Sequence, residues 1–335
     1  MAAPEGSNFR TSLYGGTDFT TTVASDYQFQ LKTLLFGTGT SYLVMAAQGI
    51  MGRNTRSSEA IRPSEDGSFT TVDYTGSRTV VFTVTVQTTA ALLQTKVDDW
   101  MTAWTATNGS DDPLVFKLPD SRGAGGSRIW RLFGRPRRMD VDYKLWSKGV
   151  ATIKAEFYCA DPRVYLDAVT NVPTSSFALP AVSWGLAFAA APLGVTSGGL
   201  TFGSAPLGVT AAGLTFGAVL SSSSSVINNA GTTNAPWFAK ITGPISNPAI
   251  KCGTNTIQFS GSLGSNEFIV VDSMNRNAWL NGDASQSWYP YVSPQSDWWS
   301  LAPGNNTVQF IDDGIRSGSP ISTGTMSFEY RSAWM

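Results

Sequence analysis

The residues best equipped for chemistry in this 335-residue chain are six arginines, Arg122, Arg128, Arg131, Arg135, Arg137 and Arg138, interleaved with Trp130 and Phe133. Guanidinium groups beside aromatic rings can grip phosphates and stack on bases. Asp120, Asp140 and Asp142 lie close by, however, and supply counter-charge within or between subunits. Intersubunit salt bridging, with Arg128, Arg131, Arg135, Arg137 and Arg138 as candidates, or plain solvation is favoured over contact with passing DNA. Specific nucleic-acid binding ranks last. A second group is aromatic and late: Trp279, Trp288, Tyr289, Tyr291, Trp298, Trp299 and Trp334. Exposed indole and phenol faces stack on sugar rings, which makes Trp288, Tyr289 and Trp299 candidate glycan contacts. Core packing is favoured for most of them, and adjacent Trp298 and Trp299 must face opposite ways if extended.

Catalytic sets are missing. Histidine is absent, which removes the commonest general base and the commonest metal ligand. Cys159 and Cys252 lie far apart without CxxC spacing, so they read as small buried hydrophobes and not as a disulfide framework or thiolate site. The acidic pairs Asp98-Asp99, Asp111-Asp112 and Asp312-Asp313 have no calcium-loop pattern around them, and neighbours on a strand point to opposite faces. No phosphate-binding glycine motif appears. The expectation is a protein that is not an enzyme and needs no cofactor or metal.

Length suggests about two domains. Few residues are charged, Gly, Ser and Thr are plentiful, and Lys and Glu are scarce, a balance that favours strands and turns over exposed helices. Net charge is −1, which gives no general attraction to nucleic acid or anionic membrane. The charge is uneven: residues 1–165 hold 18 basic and 16 acidic side chains, residues 166–335 hold 5 and 8. Met1 to Gly6 begins neither a basic nor an apolar leader, and the most apolar stretch, Phe177 to Leu220, is broken by prolines and glycines. Synthesis in a cytoplasm, without a membrane span, is expected.

The elements that must position these residues are mostly strands. Val80, Phe82, Val84 and Val86 share one face of Thr79–Val86; Ile153, Ala155, Phe157 and Cys159 do the same in Ala151–Cys159, preceded by a Ser147-Lys148-Gly149 turn. Leu93, Val97, Trp100, Met101 and Trp104 recur at helical spacing between Thr89 and Thr107, with Thr88 or Thr89 as N-cap and Asn108-Gly109 as stop. Between the halves, Ala191–Gly203 reappears as Ala205–Gly217, a fourteen-residue repeat that predicts short hairpin-like pieces. Ser221 to Ser225 reads as a flexible joint.

Downstream, candidate strands at Thr256–Ser260, Glu267–Asp272, Ala278–Leu280, Thr307–Ile311 and Thr325–Arg331 fit a β-sandwich. Asn281-Gly282 is the sharpest turn signal. The division is residues 1–165, a connector over 166–225, and 226–335, the last expected to fold cooperatively alone.

Asn228-Asn229-Ala230-Gly231, Ile241-Thr242-Gly243-Pro244, Leu280-Asn281-Gly282, Trp298 to Asn306 and Tyr330 to Trp334 resemble the carboxy-terminal domain of siphophage distal tail proteins, the minor tail proteins of actinobacteriophages in particular. Phe157 to Tyr165 is similar to the run "F-x-A-x-DP-x-x-Y" that closes that family's first domain. The resemblance implies a mainly β fold: a sandwich or barrel-like ring domain with one helix, then a galectin-like sandwich. It implies a structural virion protein at the tail tip, made in the host bacterial cytoplasm and assembled as a cyclic homo-oligomer, a hexamer by family number. Implied partners are the major tail tube protein, the tape-measure protein and the tail hub or receptor-binding proteins, with DNA only passing through the lumen. A carbohydrate-binding module for host surface glycans is the alternative.

Overall fold

The computed structural model describes residues 22–335 except 53, 58–59, 62–65, 67, 70–72, 107–110, 121–125, 178–194, 197–198, 201–220, 284 and 313–323. The fold is mainly β, two sandwiches joined in series.

The first sandwich is one bent sheet. Its strands run in the order Leu34–Gly37, Gln28–Leu31, Asp112–Pro119, Ser127–Leu145, Val150–Cys159, Arg78–Gln87, Tyr42–Gln48. The nineteen-residue strand Ser127–Leu145 serves both layers: residues 127–134 pair with Asp112–Pro119, and Arg135 onward pairs with Val150–Cys159. Gly134 sits at the corner, where a Cβ would lie 2.3 Å from the Tyr158 carbonyl oxygen, so only glycine lets the chain cross between layers there. The period-two faces predicted at Val80–Val86 and Ile153–Cys159 all point into the core.

The helix spans Leu93–Ala103, shorter than the spacing suggested. Leu92 occupies the N-cap with no side-chain cap, because Thr89 is used one turn earlier, its carbonyl accepting from Leu92 N–H at 3.0 Å. The expected stop at Asn108-Gly109 lies outside the described residues. Leu93, Val97, Trp100 and Trp104 are buried, Trp100 and Trp104 stacked at 5.2 Å, whereas Met101 is partly exposed. The Tyr42 hydroxyl donates to the Lys96 carbonyl at 2.9 Å and fastens the helix to the sheet.

The second sandwich pairs a sheet ordered Thr170–Val172, Thr325–Tyr330, Trp237–Thr242, Phe268–Asp272, Asn277–Leu280 with one ordered Ser221–Asn229, Gly304–Asp312, Pro248–Cys252, Asn255–Gln258. All five candidate strands are present. Asn281 and Gly282 both have positive φ, and Asp283 N–H donates to the Leu280 carbonyl, which is the type I′ turn the pair predicts.

Two boundary expectations are corrected. Ser221–Ser225 is not a flexible joint: it begins a nine-residue strand in register with Val308–Asp312. Sheet pairing outweighs the high turn propensity of serine there. Thr170–Val172 and buried Phe177, placed in a connector by their sequence position, belong to the second sandwich, Phe177 lying 6.3 Å from Phe328. The first copy of the repeat contains an antiparallel pair, Val195–Thr196 with Gly199–Leu200. The second copy lies outside the described residues.

Candidate assembly surfaces

The corner strand distributes its arginines between interior and surface. Arg131 is buried, with Nη2 2.7 Å from Asp167 Oδ1, and Arg331 also approaches that carboxylate and donates to the Asp167 backbone carbonyl. Arg128 meets Asp120 at 3.5 Å and lies over the Trp334 ring; Arg135 donates to Asp111 through Nε and Nη2 at 3.0 and 2.8 Å. Arg131 therefore cannot be a subunit contact. Period two turns it inward where a second layer covers the strand. Arg137 is exposed and stacked on Tyr158 at 4.0 Å, and Arg138 is exposed. Arg122 lies outside the described residues. Asp120 pairs as expected, whereas Asp142 turns to Lys144.

The aromatic group divides in the same way. Trp288 and Trp299 are buried, against Phe259 and Trp237 respectively, so neither can stack on a sugar. Trp299 also offers its carbonyl to Trp237 Nε1 at 3.0 Å. Apolar area drives both indoles into the sandwich, the outcome core packing predicts. Tyr289 and Tyr291 remain exposed on a short 3₁₀ turn, and half-buried Trp298 packs against the second core that contains Trp299.

The seam between sandwiches has no local signature in the sequence. Asp161 accepts hydrogen bonds from Arg163 N–H and Nε and from the Tyr165 hydroxyl, which fixes the turn into Val164–Leu166. Val164 and Tyr165 then pair with Trp334 and Ala333. Trp334 packs edge-on against Trp130 at 4.8 Å in the first core, while Ala333 belongs to the second core. The backbone of Thr232 and Thr233 donates to the Ala333 carbonyl, and a Cβ on Gly231 would lie 1.8 Å from that oxygen. Ala333-Trp334 is thus stitched into both cores.

Turn residues of the second sandwich have equally definite roles. Asn229 Nδ2 donates to the Thr233 and Leu301 carbonyls, and the Asn306 amide bridges Ala302 and Gly304. Residues 230–334, which hold these turn residues except Asn229, match the siphovirus-type tail component, C-terminal domain. The match identifies this domain and spans about a third of the chain. No curated protein matches it. Among solved structures the chain is similar to "Crystal Structure of SPP1 Dit (gp 19.1) Protein, a Paradigm of Hub Adsorption Apparatus in Gram-positive Infecting Phages", at 13% identity and a TM-score of 0.53, covering 88% of this chain and 94% of that one. At that identity the likeness shows the shared fold. The phage P2 baseplate in its activated conformation with Ca matches at 10% identity and a TM-score of 0.45, covering 88% of this chain and 97% of that one, too distant to carry an argument. The matches show a siphovirus-type tail-component C-terminal domain over residues 230–334 and, across most of the chain, a shared β fold.

One layer of the first sandwich also ends, among the described residues, in two unpaired sheet edges. Among the described residues, Tyr42–Gln48 pairs only on its Arg78–Gln87 side, and Arg135–Leu145 pairs only on its Val150–Cys159 side. An edge strand is legible in a sequence only once strand order is known.

Proposed function

We propose that this tail component closes into a ring at the tail tip, where it joins the tail tube and tape-measure protein to the hub or receptor-binding proteins. The observation that carries this reading is the pair of unlike edges on one layer that no strand among the described residues covers. Edges so placed join head to tail, and a head-to-tail contact that closes makes a cyclic assembly. The edges run antiparallel across the intervening strands, so a second copy continues the ladder without reversing it. Six copies is the number the family resemblance implies. In this arrangement the first sandwich surrounds a lumen through which DNA passes, the second faces outward, and the protein is made in the host cytoplasm before joining the virion. The work is mechanical, with no bond made or broken. Burial of Trp288 and Trp299 leaves Tyr289 as the surviving member of the proposed glycan set and weakens the sugar-binding reading. An electron-microscopy map of the particle tests the proposal. A closed ring of this chain between tube and hub is expected, and density in a shell, the helical tail shaft or an outward fibre would overturn it.

A further inference from the structure

The layer that ends in the two unpaired edges has two unlike faces. Val84, Ile153, Ala155 and Phe157 point into the core. The opposite face carries Thr83, Thr85, Thr152, Lys154 and Tyr158, half-buried or exposed. The second sandwich packs elsewhere: its core takes in Phe133 and Tyr165, on the outer side of the other layer. When the two edges join copies into a ring, the polar face looks inward, because turning it outward would crowd every second sandwich into the lumen.

Unbalanced charge on this face is concentrated at one irregularity. Pro136 pairs with Phe157 and Met139 with Ala155, so the strand holds one extra residue there, and Arg137 and Arg138 together oppose Glu156. Plain alternation would send one of two consecutive arginines into the core. The bulge keeps both out: each is exposed, and neither forms an ion pair among the described residues. Arg137 is stacked on Tyr158, 4.0 Å from the ring centre. Stacking occupies the face of a guanidinium and leaves its N–H edge for an oxyanion. Elsewhere on the strand the charges cancel: Asp142 meets Lys144 at 3.3 Å, Asp140 faces Lys154 across the ladder, and Arg135 is held by Asp111. Two arginines over one carboxylate therefore leave each copy with surplus positive charge at the bulge. The joint between copies offers it no partner, since the opposite edge, Tyr42–Gln48, contains no charged residue.

From this geometry we infer that Arg137 and Arg138 form a phosphate-binding site for duplex DNA, repeated around the lumen as a cationic collar. The collar rests on the ring reading; the phosphate site of a single copy does not. Guanidinium forks suit the paired oxygens of a backbone phosphate. Contacts to the backbone carry no base sequence, as passage of a long duplex demands.

The test is nuclear magnetic resonance of the deuterated full-length chain titrated with a short DNA duplex of mixed sequence, a readout for which one copy suffices. Saturable shifts are expected at Arg137, Arg138, Glu156 and Tyr158. Two neutralised phosphates predict a roughly 60-fold loss of affinity between about 20 mM and about 200 mM salt. R137S/R138S should abolish the shifts, whereas K96S/K251S, which removes equal charge elsewhere, should leave them. If the first double variant fails to fold, the shift map of the parent decides by itself. A duplex that shifts other surfaces and leaves the bulge unmoved would overturn the site, and tighter binding of polyglutamate than of the duplex would assign it to an acidic protein instead. Shifts at the bulge in a protein whose particles show no ring would keep the phosphate site and sink the collar.

Discussion

Trp334→Ala is the sharpest test of the seam, because one side chain at the end of the sequence closes the core at its beginning. Trp334 is 8% exposed and stands edge-on to Trp130 at 4.8 Å. Truncating a buried tryptophan costs about 3–5 kcal/mol. The low end applies, since the indole keeps part of its surface in solvent. The indole N–H of Trp334 is buried without a partner, and its removal returns roughly 1 kcal/mol. A net loss of about 2–3 kcal/mol follows, equivalent to about 4–6 °C in Tm for a chain of this size. Trp334→Phe keeps most of the apolar area and sheds the unpaired N–H, so it should stay within about 1 kcal/mol of the parent. Urea melts followed by tryptophan fluorescence and by far-ultraviolet circular dichroism would measure both variants. The parent should show coincident transitions. Trp334→Ala should separate them, because the strand that spans both cores is loosened. A variant that melts as one unit within about 0.5 kcal/mol of the parent would refute the claim that this residue couples the sandwiches.

Asp167→Ala should cost about 3–5 kcal/mol by calorimetry, since it strips the counter-charge from buried Arg131 and Arg331; a melt unchanged by the substitution would mean water already screens the pair. Gly134→Ala should destabilise by more than about 2 kcal/mol, given a Cβ 2.3 Å from the Tyr158 oxygen. A neutral result in a denaturant titration would show that the strand corner can open. Burial pushes the Cys159 thiol up to about 12 and raises that of half-buried Cys252 as well, so folded protein at pH 8 should label slowly, Cys252 first, with Cys159 reacting only on unfolding; mass spectrometry that finds Cys159 modified first would contradict its position in the core. Residues 226–335 alone should lack a sigmoidal melt, because that cut removes Thr170–Val172, Phe177 and half of the strand Ser221–Asn229. A cooperative transition from this fragment would show those pieces to be dispensable.

The sequence by itself determined every element whose residues carry their own period. Val80 to Val86 and Ile153 to Cys159 alternate because each strand has one face in the core, and Leu93, Val97, Trp100 and Trp104 mark a helix because apolar area is gathered on one side. Asn281-Gly282 specified its turn through the positive φ that these residues tolerate. Strands such as Gln28–Leu31, buried at all four positions, have no alternation to read. Tertiary structure alone decided what the charged and aromatic residues do. The spacing of Arg128, Arg131 and Arg135 is the same whether they face solvent, a subunit or a carboxylate, and only the layer folded over the strand gives Arg131 to Asp167. Trp288 and Trp299 could equally have lined a rim until the opposite sheet covered them. The seam is least legible of all: Val164 and Trp334 are 170 positions apart in the chain, and no local pattern encodes a contact whose energy arises only when both sandwiches have formed.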